Sequence, residues 1–177
     1  GTPCCQWVGP ACSVHFVKMI HNGIEYGDMQ LISEAYWVMK NLLKLDNGEM
    51  SSVFSQWNEG KLRSYLIEIT ANILQHKDKS GGYLIDKILD TAGQKGTGKW
   101  SVINAMELGM PLGLIATAVF ERSLSAQKEL RKSAAGHFTC RRTEVVYNKS
   151  EMVGDIYSAL YASKLVSYAQ GFAVLQR

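Results

Sequence analysis

An apolar repeat at helical spacing runs through residues 13–45 and limits the folds open to this chain. Apolar and small side chains recur every one or two helical turns, Ser13 is the predicted N-cap, and the predicted end is near Leu45, before Asp46. A helix of about thirty residues is long for a globular protein, which indicates the central member of a bundle. No stretch alternates apolar and polar residues with period two, so the sequence predicts an all-α fold. The repeat consists of Met19, Tyr26, Leu31, Ala35, Val38 and Leu42.

The rest of the chain divides into shorter amphipathic segments and two irregular ones. Residues 1–12 contain Pro3 and Pro10 and predict an irregular lead-in or a last strand fragment before a helical domain over residues 13–177. Residues 127–150, with His137, Arg141 and Arg142, have weak periodicity, and we predict a long irregular connection there. Further helices are predicted over 49–58, 61–76, 83–90, 101–108, 112–124 and 151–176.

Composition narrows the class of protein and its partners. The chain has 177 residues, 46% hydrophobic and 20% charged, which is typical of one globular domain. No apolar run reaches the roughly 18 residues of a membrane span, and no secretory signal is visible, so we expect no membrane and a cytoplasmic setting. A net charge of +3 is too small for a nucleic-acid footprint but suits an anionic metabolite. The cysteines Cys4, Cys5, Cys12 and Cys140 lack metal-ligand spacing, so we expect reduced thiols and no metal.

Four polar residues share one face of the long predicted helix. Lys18, His21, Asn22 and Glu25 fall at i, i+3, i+4 and i+7, and a rise of roughly 1.5 Å per residue separates the first from the last by about 10 Å. An ammonium and a carboxylate so placed can act as an acid/base pair around a small substrate, with the imidazole and amide as hydrogen-bonding groups. The alternative is a solvated stripe with an ordinary Lys/Glu pair.

Gly23 and Gly27 lie within the same helix. Each glycine costs roughly 1 kcal/mol relative to alanine in a helix. Their presence therefore predicts that something packs close to the backbone here, which favours a functional face over a solvated one.

Residues 91–100 have the composition of an anion-binding loop. Three glycines allow backbone N–H groups to approach a phosphate, and Lys95 and Thr97 add a charge and a hydroxyl. The spacing of a Walker A loop is present from Gly93 to Lys99, but Trp100 stands where Ser or Thr would bind magnesium. The preceding segment is also predicted to be helical, where a P-loop needs a strand. Nucleotide hydrolysis is therefore disfavoured, and a plain flexible turn is the alternative.

Arg122 is the remaining candidate from the residues alone. It lies near the carboxyl end of a predicted helix. A guanidinium there is either a surface group paired with the helix dipole or a bidentate ligand of a phosphate.

Several long blocks of the chain resemble the 6-phosphogluconate dehydrogenase family. The block HFVKMIHNGIEYGDMQ at 15–30 is similar to the catalytic helix of that family, and the likeness covers nearly the whole chain from Pro3 onward. Further blocks occur in the family's order: LIEITANIL at 66–74, GQKGTGKW at 93–100, the Arg122 region and LYASKLVSYAQGF at 160–172.

The resemblance implies an activity and a role for each candidate residue. The activity is oxidative decarboxylation of 6-phosphogluconate to ribulose 5-phosphate with NADP, in the pentose phosphate pathway, by a homodimer. Lys18 would be the general base at the 3-hydroxyl and Glu25 the acid that protonates the enediol carbon. The remaining substrate ligands implied are His21 and Asn22 as orienting groups and Tyr26, Lys95, Thr97 and Arg122 around the 6-phosphate.

The chain also departs from the family pattern. It has no strand–GxGxxG–helix unit for NADP and lacks the family's later helices and tail, so residues 1–12 would be the end of the NADP-binding domain. Cys12-Ser13-Val14 replaces a glycine-containing turn before the catalytic helix. We expect an enzyme fragment that exposes an apolar patch, self-associates and does not reduce NADP alone. The alternative is a non-catalytic helical module that binds sugar phosphate or pairs with a full-length subunit.

Overall fold

Helix α1 (Ser13–Asn41) is the element on which most of the other helices pack. The computed structural model describes residues 3–138 and 148–177. Within these residues there are seven α-helices, one 3₁₀ turn, and one isolated antiparallel bridge but no strand, which confirms the predicted all-α fold. The other elements are α2 (Asn47–Asn58), α3 (Tyr65–Gln75), the 3₁₀ turn (Leu84–Lys87), α4 (Thr97–Glu107), α5 (Gly113–Ala126), α6 (Lys128–His137) and α7 (Lys149–Leu175).

The two halves of α1 belong to different hydrophobic clusters. The carboxyl-terminal half packs with α2, α3 and the start of α7 around Met39, Phe54 and Leu160. The amino-terminal half packs with α4, α5 and the end of α7 around Ile20 and Ile115. The polar residues of interest therefore lie on a helix that is fixed on several sides.

The ends of α1 differ from the predicted ones. Ser13 is the first helical residue rather than the N-cap, and its hydroxyl donates to the carbonyl of Pro10 at 2.6 Å. The helix ends at Asn41, four residues before the predicted Leu45, because Lys44 adopts a left-handed conformation with φ of 56°. The Leu45 amide then donates to the carbonyl of Met39 at 3.1 Å, which closes the end.

Caps set the starts of the next helices. Asp46 and Glu49 form a capping box, so α2 begins at Asn47, two residues before the predicted start. Ser64 accepts a hydrogen bond from the amide of Ile67, so α3 begins at Tyr65 rather than at Lys61. Gly96, with φ of 106°, precedes α4, so that helix begins at Thr97 and takes in part of the predicted anion-binding loop.

Two predictions for the middle of the chain are wrong. The two helical turns predicted over 83–90 reduce to a single 3₁₀ turn. The irregular connection predicted over 127–150 contains helix α6, which buries no residue and is held by ion pairs from Lys128 and Arg131 to Asp90. Apolar periodicity could not reveal a helix that contributes nothing to the core. Cys140, Arg141 and Arg142 lie outside the described residues.

Close helix packing accounts for Gly23 and Gly27. A methyl group at Gly27 would lie 2.6 Å from the Ser167 hydroxyl and 2.8 Å from Leu114, and one at Gly23 would lie 2.9 Å from the Ser101 hydroxyl. Gly27 is nine residues from Lys18, which is about half a turn away around the helix. The predicted close approach is thus confirmed, but it is made by neighbouring helices on the opposite face and gives no support to a ligand site.

None of the described helices combines the length and the apolar character needed to cross a bilayer.

Candidate active site

The four polar residues of α1 form a connected group, called here the polar stripe: Lys18, His21, Asn22 and Glu25. The Nδ1 atom of His21 lies 3.2 Å from Lys18 Nζ, 3.2 Å from Asn22 Oδ1 and 3.6 Å from Glu25 Oε2. The side chains of His21 and Glu25 are 52% and 45% exposed. The stripe therefore presents an ammonium, an imidazole and a carboxylate to a molecule that approaches from outside.

Tyr26 and Arg122 extend the site on one side of the stripe. Tyr26 follows Glu25 in α1 and is buried, and the guanidinium of Arg122 lies 3.9 Å from the centre of its ring. The Nη1 atom of Arg122 donates to the carbonyl of Gly93 at 2.8 Å, and Nη2 lies 3.4 Å from the sulfur of Met29. These contacts fix the guanidinium between α1 and the glycine loop, defined as residues 91–96.

Lys95 and Thr97 lie at the end of this loop. Lys95 is exposed, and Thr97 is the half-buried first residue of α4, where the helix leaves backbone N–H groups without helical partners. Gly98 packs against the Tyr26 ring, since a methyl group there would lie 2.6 Å from two ring carbons. The structure thus brings the start of α4 to Tyr26, but among the described residues no hydrogen bond joins Lys95 to Arg122 or to the polar stripe.

A cleft of about 310 Å³ opens on the other side of the stripe, between α1, the start of α3 and α7. It is lined by His21, Glu25 and Asp28 of α1 and by aromatic residues of the other two helices. The aromatic residues are Tyr65, Tyr168 and Phe172. The two candidate residues His21 and Glu25 are shared between the stripe and the cleft.

A buried ion pair borders the cleft through Asp28, which is one of the lining residues. Lys164 Nζ of α7 lies 2.5 and 2.6 Å from the two carboxylate oxygens of Asp28. Burial raises the pKa of the nearby Tyr168 phenol, and the negative charges of Asp28 and Glu25 raise it further, so this phenol stays protonated at neutral pH.

Sequence reasoning missed Asp28, Lys164, Tyr168 and the cleft. A signal for the ion pair was available, because Lys164 is the only charged residue between Ile156 and Leu175 and a lone charge in an apolar helix needs a partner. The identity of that partner, 136 positions away, depends on how α1 and α7 cross.

In the part of the chain that the structure describes, no three His, Cys, Asp or Glu side chains lie close enough to hold a metal ion. Cys4, Cys5 and Cys12 are free and exposed.

The fold and the site define an all-α domain that sets a lysine–glutamate pair beside an arginine-anchored glycine loop. Comparison with known proteins gives the family. A family model described as "6-phosphogluconate dehydrogenase, C-terminal domain" matches residues 14–177. The chain belongs to the 6-phosphogluconate dehydrogenase family.

Individual relatives agree with this assignment. "6-phosphogluconate dehydrogenase, decarboxylating 2" of Saccharomyces cerevisiae is 55% identical over 99% of this chain and 36% of its own length. The decarboxylating enzyme of Homo sapiens is 52% identical over 100% of this chain and 37% of its own length. A solved Plasmodium falciparum 6-phosphogluconate dehydrogenase, studied in apo form and in complexes with NADP+ and with 6-phosphogluconate, superposes with a TM-score of 0.93 and 49% identity, covering 99% of this chain and 38% of that one. The chain thus spans little more than a third of the length of these relatives.

Proposed function

We propose that this chain carries the catalytic helix and the sugar-phosphate site of a decarboxylating 6-phosphogluconate dehydrogenase. The reaction is the oxidative decarboxylation of 6-phosphogluconate to ribulose 5-phosphate and CO₂ with reduction of NADP. The observation that carries the proposal is the connected group of Lys18, His21, Asn22 and Glu25 on one face of α1, with Arg122 stacked on the neighbouring Tyr26. The names of the relatives and the substrate complex of the Plasmodium enzyme support it.

Lys18 and Glu25 are assigned opposite proton transfers. Lys18 as the neutral amine takes the proton of the 3-hydroxyl, and Glu25 as the neutral acid gives a proton to the enediol carbon after CO₂ has left. The β-keto acid formed by oxidation loses CO₂ readily when a donor polarises its carbonyl, and the ammonium of Lys18 is such a donor. His21 and Asn22 orient the sugar hydroxyls by hydrogen bonds.

The 6-phosphate is assigned to Arg122, Tyr26, Lys95 and Thr97. A phosphate dianion needs clustered donors, and the guanidinium retains N–H groups beyond the one committed to Gly93. The start of α4 at Thr97 adds backbone donors and the positive end of a helix dipole.

The described residues do not form the dinucleotide-binding unit that the NADP assigned to the reaction would need. A dinucleotide fold needs a strand before its glycine loop, and the segment before Gly93 contains only a 3₁₀ turn and irregular backbone. We therefore assign to this chain the binding of sugar phosphate and the proton transfers only. The homodimer, the pentose phosphate pathway and a cytoplasmic location belong to the proposal for the whole enzyme.

The proposal is tested in a chimera in which this chain replaces the matching segment of the Saccharomyces cerevisiae relative. NADP reduction with 6-phosphogluconate should fall by about 10²–10⁴-fold in kcat for Lys18→Met and Glu25→Gln, because each removes a proton-transfer group. Glu34→Gln, an exposed carboxylate elsewhere on α1, is the matched control and should have little effect.

Two results would contradict the proposal. Undiminished turnover in Lys18→Met or Glu25→Gln would exclude the assigned roles. An unsubstituted chimera that binds 6-phosphogluconate without reducing NADP would favour the non-catalytic module instead.

A further inference from the structure

The Nδ1 atom of His21 lies close to one hydrogen-bond donor and two acceptors, and a single nitrogen cannot bond to both kinds at once. Lys18 Nζ at 3.2 Å is a donor when protonated, so it needs the lone pair of Nδ1. Glu25 Oε2 at 3.6 Å and Asn22 Oδ1 at 3.2 Å are acceptors, so they need a proton on Nδ1. The nitrogen can satisfy one side at a time, and its proton follows the charges of Lys18 and Glu25.

The proposed reaction, on which this inference rests, leaves these two groups in the wrong protonation states. In each turnover Lys18 gains one proton from the substrate and Glu25 loses one to the product. The next turnover needs a neutral amine and a neutral acid again. Before the next cycle Lys18 must therefore lose one proton and Glu25 must gain one.

We propose that His21 is the relay that carries this proton from Lys18 to Glu25. An N–H bond of the Lys18 ammonium breaks and the proton goes to the lone pair of Nδ1, which gives an imidazolium. The Nδ1–H bond then breaks and the proton goes to Glu25 Oε2. Lys18 ends as the amine, Glu25 as the acid and His21 as the neutral imidazole it was, and nothing is oxidised or reduced.

The surroundings direct the proton to Glu25 rather than to the other groups of the cleft. Both oxygens of Asp28 are engaged by Lys164, so this carboxylate is not a competing acceptor. Tyr168 lines the same cleft from α7, and because its phenol stays protonated it does not accept the proton as a base. Imidazole is the side chain that changes protonation most readily near neutral pH, which suits an intermediate carrier.

The first test reads the His21 tautomer in the purified 177-residue chain by long-range ¹H–¹⁵N correlation. In Lys18→Met the proton should lie on Nδ1, because only acceptors remain. In Glu25→Met the proton should lie on Nε2, because the Lys18 ammonium then donates a hydrogen bond to the lone pair of Nδ1. The same tautomer in both variants overturns the relay, and Glu34→Gln should leave the signal of the unsubstituted chain unchanged.

The second test separates the relay from substrate orientation, using the chimera described above with His21→Gln. The relay acts only between turnovers, so the steady-state rate should fall about tenfold further than the rate of the first turnover. Added imidazole should restore the steady-state rate and leave the first turnover as it is. Equal loss of both rates without rescue would mean that His21 only orients the substrate. An unsubstituted chimera without NADP reduction would count against the proposed function, while the tautomer test would still decide whether His21 can act as the relay.

Discussion

The ion pair of Asp28 and Lys164 joins α1 to α7 where the two helices pack together. Both residues are buried, with Asp28 5% and Lys164 9% exposed. A buried charge that loses its partner is strongly destabilising, whereas a neutral replacement of both partners is not. The pair also keeps a second carboxylate from acting in the cleft next to Glu25.

We expect Lys164→Met to lower the free energy of unfolding by about 3–5 kcal/mol, since the Asp28 carboxylate is then buried alone. The double change Asp28→Asn with Lys164→Met should recover at least about half of this loss, because the remaining amide is neutral. Urea unfolding followed by circular dichroism measures both. A double variant as unstable as Lys164→Met would show that the charge is not the cause.

At the scale of elements, the position of α1 depends on small residues at its crossings with other helices. A methyl group at Gly27 would clash with Ser167 of α7 and Leu114 of α5, whereas one at Gly154 of α7 would meet nothing within 4 Å. Replacing glycine by alanine should therefore have opposite effects on stability at positions 27 and 154.

Gly27→Ala should destabilise the chain by about 1–3 kcal/mol, because the neighbouring helices must move apart. Gly154→Ala is the matched control and should stabilise it by up to about 1 kcal/mol, because alanine is the better helix former. Thermal unfolding should show a lower midpoint for Gly27→Ala and a higher one for Gly154→Ala than for the unsubstituted chain. An unchanged midpoint for Gly27→Ala would contradict the close crossing.

Helix α6 depends on electrostatic contacts rather than on a core. The Lys128 ammonium, and after it the Arg131 guanidinium, lower the pKa of Asp90 from 3.8 to about 2. The folded-state pKa lies below the unfolded one, so this contact contributes stability above about pH 4 and loses it as the pH falls toward 2.

The carboxyl carbon of Asp90 should therefore titrate with a midpoint near 2 in ¹³C NMR. Lys128→Met should move the midpoint toward 3.8, while Lys132→Met, which removes the partner of Glu129, should leave it in place. A midpoint of 3.8 in the unsubstituted chain would mean that α6 is not held in this way.

The helices differ in how far the sequence could predict them. Helices α1, α2, α3, α5 and α7 follow from apolar spacing, because each buries a face in the core. Helix α6 does not, because Lys128 and Arg131 replace core contacts with ion pairs. The start of α4 was not predicted, because the composition of residues 91–100 indicates a loop. In the structure the helix begins directly after Gly96, which has a left-handed conformation.

For the whole molecule, the candidate site combines a local part and a part that only the tertiary fold brings together. Lys18, His21, Asn22 and Glu25 are predictable because one helix carries them. The stacking of Arg122 on Tyr26 joins residues 96 positions apart, and spacing cannot reveal it, so only the family resemblance grouped these two residues. The cleft was not predicted at all, because it exists only where α1, α3 and α7 meet.

Large apolar side chains remain exposed on several helices, including Met106 at 76% and Phe120 at 69%. We expect the chain to self-associate at micromolar concentration, because such side chains gain free energy when they are covered. The change Met106→Glu with Phe120→Glu should shift sedimentation velocity profiles toward the monomer. A monomer at all concentrations in the unsubstituted chain would contradict this expectation.

The most direct test of the proposed sugar-phosphate site is a calorimetric titration of the purified chain with 6-phosphogluconate, compared with gluconate. If the described residues assemble the sugar-phosphate site, 6-phosphogluconate should bind more tightly than gluconate. Arg122→Ala should weaken its binding by roughly 10–100-fold, as expected for the loss of a charged hydrogen bond. The exposed Arg63→Ala is the control and should bind like the unsubstituted chain. Failure of the chain to bind 6-phosphogluconate, or binding unchanged by Arg122→Ala and Lys95→Ala, would contradict the assignment of the site.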